Sequence, residues 1–262
     1  MIKAKKRWGQ NFISDRNILQ KIVDLSQIDH QNVLEIGPGM GGLTRILAKE
    51  AKKLLCYEID EDLHEFLDEI EEKFTNTKII YQDFLANDSN SVIKEYFSQE
   101  PVILVSNLPY YITTQVIMSF LTNSSLQRAI IMVQKEVGER IISLPNNKEY
   151  GQLSVNIQGS CWVKKLLNIK RGLFNPVPNV DSILISLEKY APLDPEFVNF
   201  NRLIFANKRK TLYNNLLANL HLSSNQASQL LMDLKINSNS RSEQLNIDTI
   251  KELYNSWKKL PN

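Results

Sequence analysis

Five short apolar runs, near residues 33–36, 54–57, 79–81, 102–105 and 129–133, alternate with stretches of helical periodicity. No other feature constrains the chain as much. A strand that returns parallel to its predecessor needs a crossover, and an amphipathic helix is the usual one. Runs without polar alternation suit strands covered on both faces. The expected fold is α/β, a mostly parallel sheet with helices on both sides. Further strands are expected near 163–169 and 182–188. An arm of residues 1–14 leads to a helix near 15–27, with Asp15 as its N-cap. Ala191-Pro192-Leu193-Asp194-Pro195 ends the alternation, since closely spaced prolines break helix and strand alike. Beyond it the periodicity is helical, near 195–206, 208–220, 224–235 and 247–258. Two domains are therefore expected, a sheet domain with its arm over 1–190 and a small helical domain over 191–262.

The ends of the apolar runs carry the chemistry. Ligands of open parallel sheets bind beyond the carboxyl ends of the strands. Val33-Leu34-Glu35-Ile36 is followed by Gly37-Pro38-Gly39-Met40-Gly41-Gly42 and then by a helical stretch with Leu43, Ile46 and Leu47. Glycines there let the backbone approach a ligand closely. The G-x-G-x-G register differs from the dinucleotide fingerprint G-x-G-x-x-G. Leu54-Leu55-Cys56-Tyr57 ends on Glu58, whose carboxylate can accept both hydroxyls of a ribose. Ile79-Ile80-Tyr81 is followed by Asp83, which can accept from an adenine amino group or stand as an ordinary polar terminus.

Val102-Ile103-Leu104-Val105 runs into Ser106-Asn107-Leu108-Pro109-Tyr110-Tyr111. Pro109 fixes φ and biases Leu108 toward an extended backbone. The side-chain oxygen of Asn107 and the carbonyl of Leu108 then form a stiff pair of acceptors beside the Tyr110 ring. An exocyclic amino group on a nucleobase is a poor nucleophile, because its lone pair is delocalised into the ring. Acceptors on its two hydrogens draw it toward tetrahedral geometry, and a ring can stack on the base. The bland alternative is a strand end followed by a proline turn.

The chain resembles the ribosomal RNA adenine dimethyltransferases of the small-subunit (16S) type. The resemblance rests on Lys6-Arg7-Trp8-Gly9-Gln10-Asn11-Phe12, Glu35-Ile36-Gly37-Pro38-Gly39, Asn107-Leu108-Pro109-Tyr110-Tyr111, Tyr150-Gly151-Gln152-Leu153-Ser154-Val155, Phe174-Asn175-Pro176-Val177-Pro178-Asn179-Val180-Asp181-Ser182, Lys208-Arg209-Lys210-Thr211-Leu212-Tyr213-Asn214-Asn215-Leu216 and Arg241-Ser242-Glu243-Gln244-Leu245. It implies a Rossmann-like class I methyltransferase with a seven-stranded sheet and one antiparallel edge strand. It implies S-adenosylmethionine as donor and two adjacent adenosines near the 3′ end of small-subunit rRNA as acceptors. By position, Asn11, Ile13, Gly37, Glu58, Asp83 and Asn107 would hold the donor. Asn107, Leu108, Tyr110 and Phe174 would serve the target base, with Tyr110 and Phe174 sandwiching it. The chain departs from the pattern at Gln82 and Phe84, which flank Asp83 where Gly and Ala are usual. Trp8, Lys208 and Asn179 stand where Phe, Arg and Lys are frequent.

Composition agrees with a nucleic-acid substrate once the charge is resolved along the chain. The 31 Lys and Arg nearly balance 29 Asp and Glu, but nine of the acids fall between residues 58 and 72. Leu63, Phe66, Leu67, Ile70 and Phe74 form a helical stripe through that segment, so most of its acids form a solvated face. The remainder of the chain is strongly basic. Its bases gather at Lys3, Lys5, Lys6 and Arg7, at Lys164, Lys165, Lys170 and Arg171, and at Lys208, Arg209 and Lys210. Together these suggest a track for RNA phosphates, with Lys208, Arg209 and Lys210 as the RNA-binding residues of the helical domain.

No apolar run approaches the ~20 residues that span a bilayer. The Lys-rich start has no apolar core and no small-residue cleavage site, so no secretory signal is expected. Two cysteines and three histidines show no metal-ligand spacing, so no metal is expected. A reducing cytoplasm is the natural inference, and a monomer is expected. A large-subunit rRNA methyltransferase of the macrolide-resistance type and a non-catalytic nucleic-acid-binding relative are the competing readings. The Lys208–Leu216 and Arg241–Leu245 segments, and Leu rather than Ile in the Asn-Leu-Pro-Tyr tetrad, argue against the first. The intact Gly37, Glu58 and Asn107 set argues against the second.

Overall fold

A computed structural model gives the structure of the protein and describes residues 10–86 and 88–260. The arm cations Lys3, Lys5, Lys6 and Arg7, with Trp8, lie outside the described residues. The chain forms two compact units. The first comprises residues 1–138 with 164–189, and the second comprises 139–163 with 190–262. The second unit therefore starts from more than the expected 191–262, since it also takes 139–163.

In the first unit, β1 (Phe12–Ile13) precedes α1 (Arg16–Ser26). The Asp15 side chain accepts from the backbone N–H of Asn17 and Ile18, which satisfies two of the free donors at the start of α1. The sheet and its crossovers follow in chain order as β2 (Asn32–Ile36), α2 (Thr44–Glu50), β3 (Lys53–Glu58), α3 (His64–Lys73), β4 (Thr77–Tyr81), α4 (Ser89–Tyr96), β5 (Val102–Asn107), α5 (Thr113–Thr122) and β6 (Leu126–Gln134). After β7 (Cys161–Ile169, whose first three residues belong to the second unit) and β8 (Phe174–Asn175), β9 (Ser182–Lys189) completes the sheet.

The spatial order is β4-β3-β2-β5-β6-β9-β7, with the pairs from β4 to β6 parallel and β6–β9 antiparallel. The antiparallel strand is thus not at the edge, as expected, but second from it. The edge belongs to β7, which precedes β9 in the chain. Every residue of β2 is buried, as a central strand covered on both faces requires. The order reverses between β2 and β5, which opens a crevice beyond their carboxyl ends. Ser106 Oγ donates to the carbonyl of Ile36 (2.5 Å) and ties the two strand ends together. A separate two-stranded ribbon pairs β1 with β8, placing Ile13 opposite Phe174.

The acidic helix α3 buries Leu67 and Ile70 and turns its charges outward. Glu71 reaches the outer strand β4. Its carboxylate accepts from Lys78 Nζ (2.8 Å) and from the backbone N–H of Ile79 (3.1 Å).

The second unit holds the second half of α6 (Lys135–Ile142), with α7 (Gln152–Gln158), α8 (Pro195–Ile204), α9 (Leu212–Asn219), α10 (Ser224–Asp233) and α11 (Ile247–Trp257). Its core gathers Tyr150 and Val155 with Phe197, Phe200, Ile204, Leu212, Leu216 and Leu253. That packing is why residues 139–163 join it. Each C-terminal helix has a side-chain N-cap, supplied by Asp194, Thr211, Ser223 and Asn246.

Candidate active site

The crevice at the carboxyl ends of β2, β3, β4 and β5 holds a cavity of about 280 Å³. That is close to the lower end of the ~300–1,000 Å³ usual for small-molecule sites. Its walls come from the segment Gln10–Ser14, the turn after β2, and the ends of β3, β4 and β5.

The turn after β2 needs its glycines for two separate reasons. Gly37 and Gly39 have φ of +71° and +60°, in the left-handed region that side chains disfavour. A Cβ on Gly39 would also stand 2.8 Å from the Phe12 ring. The backbone is thereby free to curl under the cavity, and the Gly39 N–H meets Glu58.

Glu58 is 4% exposed. Its Oε2 accepts from Gly39 N–H (3.0 Å), and its Oε1 accepts from Ile59 and Asp60 N–H (2.9 Å each). Burial pushes its pKa up, and the three backbone donors oppose that shift. These three bonds leave lone-pair capacity for an incoming hydroxyl. Asp83 lines the same cavity, and its Oδ1 accepts from Leu85 N–H (2.8 Å).

Asn107 Nδ2 donates to the backbone carbonyl of Asn11 (3.1 Å). A carbonyl can only accept, so this contact fixes which end of the amide is nitrogen and leaves Oδ1 as the acceptor at the end of β5. Leu108 N–H donates to the Met132 carbonyl (3.3 Å), and Ile112 N–H donates to the Pro109 carbonyl (3.2 Å). Tyr110 shares a hydrogen bond with Ser182 Oγ (2.8 Å) and lines the cavity beside Asn107. Burial raises its pKa, so its hydroxyl stays protonated at neutral pH.

The structure thus brings Asn11, Ile13, Gly37, Glu58, Asp83, Asn107, Leu108 and Tyr110 to one cavity. It does not bring Phe174 there. Phe174 is 3% exposed and packs in the core of the first unit, because its pairing with Ile13 turns it inward. Lys208, Arg209 and Lys210 lie in the second unit. They are exposed in a turn just before α9, not within the helix as expected, and none forms an ion pair with a described residue. Lys170 pairs with Asp181 (3.1 Å), whose other oxygen takes the Arg171 N–H (3.0 Å), so part of that basic cluster is already neutralised.

Three features of the cavity escaped the sequence reading. Glu35 is only 2% exposed and lines it, with Cys56 Sγ donating to Oε2 at 3.7 Å. Burial pushes the Glu35 pKa up to about 8. The signal was present as a carboxylate inside an otherwise apolar run. Gln10 Nε2 donates to Asp60 Oδ2 (2.7 Å) and fastens the arm to the loop after β3. Tyr57 lines the cavity, and its buried hydroxyl has no hydrogen-bond partner among the described residues. Among the lining residues Glu35, Glu58 and Asp83 are acids, and none is Lys, Arg or His. Such a wall suits a cationic small molecule with polar hydroxyl and amino groups.

Comparison with known proteins agrees with this geometry. Residues 1–259 match the family model described as ribosomal RNA adenine dimethylase. Ribosomal RNA small subunit methyltransferase A of Onion yellows phytoplasma (strain OY-M) is 42% identical, over 97% of this chain and 96% of its own. A dimethyladenosine transferase from Plasmodium falciparum superposes with a TM-score of 0.80 at 25% identity, covering 95% of this chain and 98% of that one. The fold is also that of the 23S rRNA methyltransferase ErmE, with a TM-score of 0.72 at 24% identity, over 95% of this chain and 100% of that one. The crevice, its acids and the Asn-Leu-Pro-Tyr strand end therefore stand in a chain that belongs to the ribosomal RNA adenine dimethylase family.

Proposed function

We propose that this chain transfers methyl groups from S-adenosylmethionine to N6 of two adjacent adenosines near the 3′ end of small-subunit (16S) rRNA, giving N6,N6-dimethyladenosine. The observation that carries the target chemistry is the fixed amide of Asn107, whose nitrogen is held by Asn11 and whose oxygen is left to accept. The donor supplies a methyl activated by the positive sulfonium. Glu58 accepts from the donor's ribose, Asp83 accepts from its adenine, and the Gly37–Gly39 backbone lets its amino-acid end lie close. Asn11 and Ile13 close the cavity from the arm side.

Asn107 Oδ1 and the Leu108 carbonyl accept the two N6 hydrogens, which localises the nitrogen lone pair toward the methyl. The N–C bond forms as the C–S bond breaks, and the acidified nitrogen then sheds a proton to water. No strong base is required, so catalysis consists of alignment and preorganised acceptors. The base must leave its stack at a cost of a few kcal/mol. Stacking on Tyr110 returns about 1–3 kcal/mol. Phe174 is not part of this proposal as a second wall, because it is enclosed in the core.

Lys208, Arg209 and Lys210 contact RNA phosphates. The small ribosomal subunit or its precursor is the substrate particle, and the enzyme acts as a cytoplasmic monomer. In support, Cys56 and Cys161 are both buried and neither belongs to a disulfide. Among the described residues no helix is long and apolar enough to cross a membrane.

The test is to incubate the protein with isotope-labelled S-adenosylmethionine and purified small or large ribosomal subunits from cells lacking this enzyme, and then to map the label. Dimethyladenosine at two neighbouring small-subunit positions is the expected result. Label confined to the large subunit, or no label at all, refutes it.

A further inference from the structure

The second unit carries an aromatic pair that its core does not use. Other rings of the unit pack in its core, Tyr150 on Phe205 and Tyr254 between Phe197 and Phe200. Trp162, by contrast, is 64% exposed and Tyr190 is 40% exposed. The two rings lie 5.1 Å apart at 44°. Leaving most of an indole in water forgoes the hydrophobic gain that normally draws this side chain inward.

The pair is held firmly. Tyr190 is fixed at its backbone by an N–H···O bond to Ser160 (3.0 Å). Its hydroxyl donates to the Gln158 carbonyl (2.7 Å) and accepts from Lys251 Nζ (3.1 Å). Lys251 Nζ also stands 5.0 Å from the centre of the Tyr190 ring. The result is an exposed indole face with Tyr190 packed against it and a cation beside the tyrosine. The unit that carries it has eleven Lys and Arg against eight Asp and Glu.

We propose that Trp162, backed by Tyr190, is a stacking platform for an unpaired nucleobase of the RNA substrate, and that Lys251 contacts the adjoining phosphate. The partner is single-stranded RNA rather than a duplex, because an A-form helix hides its base faces while an unstacked base offers a π surface of any sequence. It is RNA rather than protein because the apolar area is one ring pair beside a lysine. A stable protein interface needs several hundred square ångströms from each partner. None of the residues that line the donor cavity belongs to the second unit. The proposal rests on the RNA-methylation reading above and adds to it a place where unpaired substrate is held.

The test uses the full-length protein and a fluorescently labelled twelve-nucleotide unpaired oligoribonucleotide, with a blunt RNA duplex of equal length as the comparison. Trp162→Ala should weaken single-strand binding by roughly 5- to 150-fold, the loss of one base stack. Trp162→Phe should restore most of it. Trp162→Ala should leave duplex binding, S-adenosylmethionine binding and the slope of log affinity against log salt unchanged. Lys251→Gln should flatten that slope by ~0.7. Should Trp162→Ala unfold, a Trp8→Phe, Trp257→Phe background isolates the remaining indole, whose fluorescence should be quenched by the oligonucleotide.

Single-strand affinity within twofold of wild type, or an unquenched indole, overturns the proposal. So does a variant that binds the oligonucleotide normally but loses association with the whole small subunit, since the platform would then meet a ribosomal protein. Failure of the methylation reading is distinct, because it appears in the wild-type protein as absence of methyl transfer.

Discussion

Glu35→Gln tests the electrostatics of the crevice without any ligand. The wild-type side chain is almost wholly buried, accepts a weak bond from Cys56, and has a pKa near 8 against an ordinary value of 4.5. Burial is the main cause, and the neighbouring charge of Glu58 adds to it. The folded protein therefore keeps a proton up to about pH 8 that the unfolded chain sheds near pH 4.5. The associated stability is fully present below pH 4.5 and is lost as the pH climbs through about 8. Each pH unit in that window costs at most ~1.4 kcal/mol, so the whole window costs ~2–5 kcal/mol once partial relaxation around the charge is allowed for. Gln keeps the shape and an oxygen for Cys56 but cannot ionise. Denaturant unfolding of both proteins without donor, at half-unit steps from pH 4.5 to 9, is the assay. The variant should match or fall slightly below the wild type near pH 4.5, gain on it steadily, and be the more stable protein at pH 9. A difference that stays flat across the range would show that Glu35 ionises normally, and would refute the reasoning from burial.

Asn107→Ala should lower turnover by ~10²–10³ while leaving the donor dissociation constant within a few fold, checked by single-turnover methyl transfer and calorimetry. Near wild-type turnover would remove Asn107 from the chemistry. Glu58→Ala should weaken S-adenosylmethionine binding by roughly 1.5–3 kcal/mol in the same calorimeter, with RNA affinity unchanged. An unaltered constant would leave Glu58 as a cap for the Gly39 and Asp60 N–H groups alone. Replacing Lys208, Arg209 and Lys210 together by Gln should flatten log affinity for the small subunit against log salt by ~0.7–0.9 per lost phosphate contact, with donor binding intact. An unchanged slope would take these residues out of the RNA interface.

The strands from β2 to β6 were legible because each is a near-continuous apolar run, and central strands of a parallel sheet leave no other pattern. Glu58, Asp83 and Asn107 were legible for a related reason. In such a sheet a polar residue just past an apolar run must lie at the ligand end. The position of β9 was not legible. Insertion of an antiparallel strand inside the edge strand depends on long-range order, and neither Ile183 nor Leu187 says which neighbour it will meet. The extent of the second unit was hidden likewise, since Tyr150 and Val155 reveal their partners Phe197 and Phe200 only once the helices meet. Phe174 lies outside the cavity lining for a reason its motif does not carry, since its pairing with Ile13 is a tertiary contact. Glu35 stands out locally as an acid within an apolar run, but its raised pKa comes from burial that only the folded sheet supplies.

Glu71 of the acidic helix has a consequence for behaviour at high concentration. An outermost strand normally exposes a ladder of open N–H and C=O groups, and these invite a foreign strand to add on. Here one carboxylate occupies the Ile79 N–H and holds the Lys78 ammonium beside it, so an approaching chain meets a filled donor and a pair of charges. The dense negative charge of that helix thus protects against strand-by-strand association, and a charge-neutral version of the segment should form fibrils or precipitate at concentrations where the natural sequence stays dispersed.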